Sequence, residues 1–319
     1  MPPERVNVDN FARAESNRMF AALGRDAGGV GRWVHYREIA PVEHQPIIRQ
    51  NRDTLYSAAI VDITAGATLA VPDAGDRYLS VMVVNQDHHI ERIFHDAGEY
   101  ALTRDEFGTP YVMLGARILV DPDDADDLGA VRRLQDGFGI DAPSNEAFVL
   151  PDYDEASLDA TRQALLELAR GIDGFDRAFG ARDAVDPVRH LLGAAAGWGG
   201  LPEYEAYYAN VEPGLPFGQY RLTVRDVPVD AFWSLSLYNA DGYFEPNEVG
   251  RYNVNSVTAV HDADGAITIH FGPIDSGDVP GDVPNLLPIM EGWNYLIRYY
   301  RPRPEILDGT WRFPTVTPV

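Results

Sequence analysis

The chain has 319 residues and a net charge of −23, from 49 acidic against 26 basic side chains; such a field repels nucleic acid phosphates and anionic lipid and argues against both as partners. It contains no cysteine and no lysine, every basic side chain being arginine, which removes thiolate nucleophiles, disulfides, cysteine-ligated clusters, Schiff bases and the P-loop lysine. Any chemistry therefore falls to His, Asp, Glu, Tyr, Ser or Arg.

In chain order, Asn10 to Leu23 carries Phe11, Met19, Phe20 and Leu23 behind a polar cap and predicts a short amphipathic helix closed by the glycines at 24, 28 and 29. Strand signals follow: Thr54 to Ile63, Ala67 to Val71, Tyr78 to Val84, Glu99 to Leu102 and Pro110 to Val120 are short runs rich in β-branched and aromatic residues, with turn chemistry at Pro72-Asp-Ala-Gly75-Asp. The run Asp121 to Asp127 loads carboxylates onto the start of a helix with apolar positions Leu128, Val131, Leu134 and Phe138, where anions complement the helix dipole. Asp154 to Arg170 predicts a second helix in this region, and Asp186 to Gly197 a third, with Asp as cap, Pro in the first turn and Gly at the exit. Strands resume at Gln219. Phe232 to Tyr238 alternates strictly, Trp233, Leu235 and Leu237 facing one way and Phe232, Ser234, Ser236 and Tyr238 the other. Ser256 to Val260 and Ala266 to Phe271 flank His261-Asp-Ala-Asp-Gly265 as an expected hairpin, and Trp293 to Tyr300 is a last long strand.

This order predicts a mainly β protein: two antiparallel β-sandwich or jelly-roll-like domains joined by a small α-helical connector. The expected divisions are a lead-in at 1–48, an amino-terminal β domain at 49–121, the connector at 122–212 and a carboxy-terminal β domain at 213–319. The longest uncharged apolar run, Leu191 to Pro202, is too short for a bilayer. The amino terminus lacks a basic segment followed by an apolar run, so a cytoplasmic location is the expectation.

Three segments resemble a known family. Asn51-Arg-Asp-Thr-Leu-Tyr-Ser-Ala-Ala-Ile-Val-Asp62, with Pro72 and Arg77-Tyr78 behind it, is similar to the amino-terminal "domain of unknown function 1254". Phe232 to Tyr238 with Gly242-Tyr-Phe244, and Leu287-Pro288 leading into Trp293 to Pro302 and Gly309-Thr-Trp311, resemble its companion, "domain of unknown function 1214". The resemblance implies two β-sandwich or jelly-roll-like domains joined through helices, and it brings no secure activity. No serine lies in G-x-S-x-G, so nothing supports an α/β-hydrolase mechanism.

Asn51, Arg52, Asp53, Thr54, Leu55 and Tyr56 form the densest polar cluster at a strand entrance, offering an anion clamp, a base and a phenol. In an extended strand Arg52 and Asp53 face opposite ways, so both reach one pocket only if the strand begins later or bulges; the structural alternative is an Arg–Asp pair pinning an interface. His88, His89, Glu91 and His95 lie together in sequence but lack the spacing of a His-x-His jelly-roll site; they are the ligands if a metal is present, and the expectation is that no cofactor is used. His88 or His89 could serve as general base. Tyr238, Tyr243, Phe244 and Trp293 are chiefly core, with the Tyr238 to Phe244 turn the best stacking platform, and Arg298 is either a cross-sheet ion pair or an anion anchor. His190 reads as a helix-packing histidine.

The reading favoured by this inventory is an enzyme of hydrolase or lyase type acting on a small polar molecule in an inter-domain cleft. Asp53, His88 and His89 would be catalytic, and Asn51, Arg52, Tyr56, Tyr238, Tyr243, Trp293 and Arg298 would bind substrate. The rival is a non-catalytic protein binding a small ligand or saccharide on exposed aromatics. A third reading, an assembly protein such as a homo-oligomer, follows from the sheet edges that two sandwiches must hide.

Overall fold

Runs of β-branched and aromatic residues become strands where a second layer can cover them, and most of the predicted runs do so in a computed structural model that describes residues 2–45, 47–172, 174–272 and 283–319. The protein is mainly β, with several antiparallel sheets, six helices among the described residues and no closed barrel. It divides into two compact units, one of Met1–Arg37, Leu55–Val120 and Asp124–Pro202, the other of Glu38–Thr54, Asp121–Asp123 and Glu203–Val319. Among the described residues no helix is long and apolar enough to cross a membrane.

The first unit holds a five-stranded sheet whose spatial order is β1 (Trp33–Tyr36), β2 (Thr54–Asp62), β7 (Tyr111–Leu119), β4 (Leu79–Asn85) and β5 (Ile90–Phe94). Every residue of β4 is buried, as the unbroken apolar run Val81 to Val84 requires of a strand covered on both faces. A smaller sheet orders β6 (Gly98–Leu102), β3 (Ala67–Val71) and β8 (Gly139–Asp141). The single-turn helix α2 (Arg104–Phe107) is capped by the Thr103 side chain. Three longer helices, α1 (Phe11–Asp26), α4 (Glu155–Ala169) and α5 (Pro187–Ala196), close on Val6, Phe11, Ala14, Leu158, Leu165 and Leu192. The acidic run before α3 (Ala125–Asp136) acts as a cap: the Asp124 carboxylate accepts from the amides of Asp126 and Asp127 at 2.8 and 3.3 Å. Asp186 does the same for α5, with Pro187 at its start.

The second unit pairs two four-stranded sheets around one core. One orders β14 (Leu286–Pro288), β13 (Ile267–Gly272), β10 (Tyr220–Val224) and β16 (Thr317–Pro318); the other orders β12 (Asn253–Asn255), β11 (Trp233–Tyr238), β15 (Asn294–Tyr300) and β9 (Ala206–Val211). Leu222, Ile269 and Phe271 from the first meet Trp233, Leu235, Val254 and Ile297 from the second. The pairing of β13 with β14 is parallel. A short helix, α6 (Pro304–Leu307), contributes Ile306 to the same core.

The expected hairpin at residues 256–271 is not formed. The turn is present, with Gly265 at φ +81° and Asp262 bonded to Ala266, but residues 256–260 are turns rather than a strand. Three of their amides are taken by side chains instead: Asn255 Oδ1 accepts from Val257 and Thr258 at 3.0 and 2.9 Å, and Asn285 Oδ1 accepts from Val260 at 2.9 Å, while Ser256 and Ala259 donate to the Trp233 and Asn255 carbonyls. A segment with most of its amides taken in this way has too few left to continue a ladder.

Candidate functional site

The alternation of β11 builds the site. Trp233, Leu235 and Leu237 enter the hydrophobic core, which turns Ser234, Ser236 and Tyr238 onto the opposite face. In register beside them lie Asn255 and Asn253 on β12, and Arg298, Leu296 and Asn294 on β15. This second face is polar, yet Ser234, Ser236, Asn255 and Arg298 are all buried.

The strip from Arg49 to Asp53 is bonded to this face. Arg298 donates from Nη1 to Ser236 Oγ at 2.8 Å and from Nη2 to the Tyr238 hydroxyl and the carbonyls of Arg49 and Gln50, at 2.8, 2.7 and 3.1 Å. The Tyr238 hydroxyl donates to the Gln50 carbonyl at 2.8 Å, and Asn51 Nδ2 to the Tyr300 hydroxyl at 3.0 Å. Burial works to lower the Arg298 pKa, but Tyr238, Tyr300 and Asp53 outweigh it and leave the pKa raised. Arg298 is thus a buried cation bonded to hydroxyls and carbonyls.

Strand β2 begins at Thr54, so Asp53 lies in a bend and the alternation that would separate Arg52 from Asp53 does not apply. Asn51 Oδ1 accepts from the Asp53 amide at 2.9 Å and sets that bend. Asp53 is wholly buried. Its Oδ1 accepts from Asn253 Nδ2 at 2.7 Å and Asn255 Nδ2 at 3.3 Å, while Oδ2 is buried without a hydrogen-bond partner. Arg52 does not pair with it: the guanidinium donates to the Ala40 carbonyl and lies 5.0 Å over the Tyr252 ring, its Nε buried without a partner. Burial lowers the Arg52 pKa against the opposing influence of Tyr252, Asp123, Glu43 and Asp53.

The other expected binding residues are dispersed. Tyr56 belongs to the first unit, opposite Tyr36 in the β1–β2 pair and 5.6 Å beneath the Arg117 guanidinium. The Tyr238 ring packs on Phe244 at 4.7 Å with no exposed surface, and Trp293 is buried among Phe271, Tyr220 and Tyr295. Neither presents a ring to a ligand, which corrects the expected stacking platform at these positions; Tyr243 stays half-buried beside them.

The histidines form a packing ladder in the first unit. Asn85 Oδ1 accepts from the amides of Asp87 and His89, both at 2.9 Å, and closes a tight turn in which His88 adopts φ +68°. The rings of Trp198, His88, His190 and His89 then stack in sequence at 5.5, 5.4 and 4.5 Å. His88 is fully buried, and its Nε2 accepts from the Gly199 amide at 3.0 Å, so Nδ1 carries the proton. Both nitrogens of His190 face carbonyls, Ala178 at 3.1 Å and Asp87 at 3.0 Å. Burial and that neighbour push the pKa of His88 well below the usual histidine range; burial, His190 and Arg182 bring His89 to about 4.

These rings join helix α5 to the β4–β5 turn. Glu91 accepts from the Arg182 amide at 3.3 Å, and His95 Nδ1 bonds the Leu79 carbonyl at 2.9 Å. Leu79 and Asn85 are the two ends of β4, so His95 is separated from His88 and His89 by a strand about 20 Å long. His88, His89, Glu91 and His95 therefore do not converge, and among the described residues no group of three His, Asp or Glu side chains is arranged to hold a metal ion.

Sequence reasoning named Asp53, Arg52 and Arg298 as candidates and did not name Asn253 and Asn255. The signal was present: two asparagines two residues apart in a strand share a face, as Ser234 and Ser236 do. Partnership between the two pairs depends on strand register, which lies outside any local window.

Residues 30–142 match the family described as "Protein of unknown function (DUF1254)", and residues 215–304 match "Protein of unknown function (DUF1214)". No curated protein matches the chain. A crystal structure of the VPA0106 protein from Vibrio parahaemolyticus is similar in fold, with a TM-score of 0.73 at 17% identity over 98% of this chain and 97% of that one. A putative uncharacterized protein from Burkholderia cenocepacia is matched at a TM-score of 0.49 and 14% identity, over 98% of this chain and 87% of that one.

Proposed function

We propose that this chain, which belongs to the two-domain family joining DUF1254 to DUF1214, is an enzyme acting on a small polar molecule by general acid–base chemistry. Its working groups are Asp53 and Arg52, both in the second unit. The observation that carries this reading is the state of Asp53: one oxygen is held by Asn253 and Asn255 and the other is buried without a partner. A buried carboxylate oxygen with no donor is costly, and such cost is characteristically retained at sites that do chemistry.

In this reading Asp53 Oδ2 takes a proton from water or from a substrate carbon and returns it to the leaving group. The Arg52 guanidinium, which makes no ion pair among the described residues, anchors a carboxylate or other polar oxygen of the substrate. Hydrolysis and elimination both fit. Since Asp53 has no exposed surface, a substrate reaches Oδ2 through local opening of the Arg49–Asp53 strip.

The test is Asp53→Asn, assayed against a panel of small carboxylate-bearing metabolites beside a thermal melt. Asparagine with its oxygen toward Asn253 and Asn255 keeps those bonds and puts an amide nitrogen in place of Oδ2, removing the charge and the acceptor that a base needs. Turnover is expected to fall by about 100-fold or more, the usual worth of a general base, in a protein that still folds. A variant that melts far earlier than the parent yet turns substrate over normally while folded would show instead that Asp53 serves only as a counter-charge to Arg298.

A further inference from the structure

The first unit opens a groove of about 420 Å³ between the C-terminal half of α1 and the segment at residues 147–150, remote in chemistry from the Asp53 site and holding none of its residues. Phe20, Gly24, Val30, Phe148 and Leu150 are among its lining residues, and Arg25 is the one charged group. We propose that this groove binds an amphipathic monoanion, an alkyl or aryl chain ended by a carboxylate, with the apolar body against Val30, Phe148 and Leu150 and the carboxylate on Arg25.

The groove is preformed. Asp62, fully buried, accepts from the Thr64 amide and hydroxyl at 3.0 and 2.6 Å, from the Glu146 amide at 3.2 Å and from the Ser144 hydroxyl, which fixes the start of the wall. Tyr111 continues that support, its ring 5.2 Å from Phe148 at 82° and its hydroxyl reaching the carbonyls of Glu146 and Ala147 at 3.3 and 3.4 Å. Phe148 in turn lies 5.9 Å from Phe20 on α1. A cavity of this volume with a mostly apolar lining and one placed polar group has the composition of a small-molecule site.

Gly24 points the same way. A glycine inside a helix costs about 1 kcal/mol relative to alanine. Nothing local requires it at this position: the backbone is helical, and an added Cβ would meet only Ile60, at 3.9 Å. Gly24 lines the groove, so a large side chain at this position takes up room there.

Arg25 is exposed and makes no ion pair among the described residues, although the chain carries a charge of −23. The carbonyls of Leu23, Gly24 and Arg25, at the end of α1, already accept from the amides of Ala27, Gly29 and Gly28. That capping satisfies these carbonyls, and the Arg25 charge supplies the attraction for a carboxylate against the negative end of the helix dipole.

Titration calorimetry on the intact chain, with hexanoate, octanoate and decanoate below their micelle concentrations, tests this directly. Saturable binding is expected to strengthen by up to about fourfold per added methylene as the chain enters the groove. Decanoate should bind better than decyltrimethylammonium. Arg25→Gln, at an exposed position, should weaken decanoate about threefold at low salt and leave decanol unchanged. Gly24→Leu should remove binding of both. Absence of saturable decanoate binding at millimolar concentration, equal binding of the cationic amphiphile, or decanoate binding unchanged in both variants would each overturn the proposal. Because the two sites share no residue, Asp53→Asn should leave decanoate affinity at the parent value, so failure here and failure of the enzymatic reading are separately visible.

Discussion

His89 shows how one residue's surroundings set its chemistry. On sequence it is an ordinary histidine in a loop; in the fold its ring lies parallel to His190 at 4.5 Å, and burial together with that neighbour and Arg182 brings its pKa to about 4. Its folded-state pKa is thus below the unfolded value near 6.5, so the unfolded chain binds the proton first as pH falls. The stability this group contributes is present above about pH 6.5 and is lost progressively toward pH 4. Thermal melts of the parent are expected to fall between pH 7.5 and pH 5, and His89→Gln should flatten that dependence, whatever it does to stability at pH 7.5. An unchanged pH dependence in the variant would show that the ring titrates normally. The contrast with Asp53 is instructive. Its position at a strand entrance was legible from residues 51–56, but the two asparagines that hold it lie about 200 residues away in the chain.

At the scale of elements, what was local was readable. The caps of α3 and α5 follow from Asp124 and Asp186-Pro187, since a side chain that accepts from an amide two or three residues on needs no distant partner. The strand predicted at Ser256 to Val260 failed because Asn255 and Asn285 side chains took the amides of Val257, Thr258 and Val260, and Asn285 approaches from 25 residues away. Helix α5 carries a further test of packing against propensity. Gly193 sits inside it, and a Cβ there would come within 2.9 Å of the Phe179 ring and 3.0 Å of the Ala178 Cβ. Helix propensity alone predicts that Gly193→Ala gains about 1 kcal/mol. Overpacking of a filled core costs about 1–3 kcal/mol, so we expect a net loss and a lower melting temperature. A rise in melting temperature would mean that α5 shifts without strain.

Across the whole molecule the dominant quantity is charge. The described ion pairs lie mostly between partly exposed groups, such as Arg37–Asp136 and Arg303–Asp230, and pairs of that kind contribute little that salt can remove. Self-repulsion from a net charge of −23 acts over a Debye length of about 30 Å at 0.01 M salt and about 8 Å at 0.15 M. Raising sodium chloride across that range is therefore expected to raise the melting temperature; a fall would show that the ion pairs outweigh the repulsion. The amino-acid sequence by itself determined the mainly β character, the helices of residues 125–196 and the kinship with the two families, because periodicity, caps and turn residues act within a few positions. Tertiary structure alone decided that the serine and asparagine face of β11 and β12 is buried and that one oxygen of Asp53 has no partner. The reason is that an unpartnered atom is defined by every neighbour it does not have, and those neighbours are brought together only by strand register and packing between segments far apart in the chain.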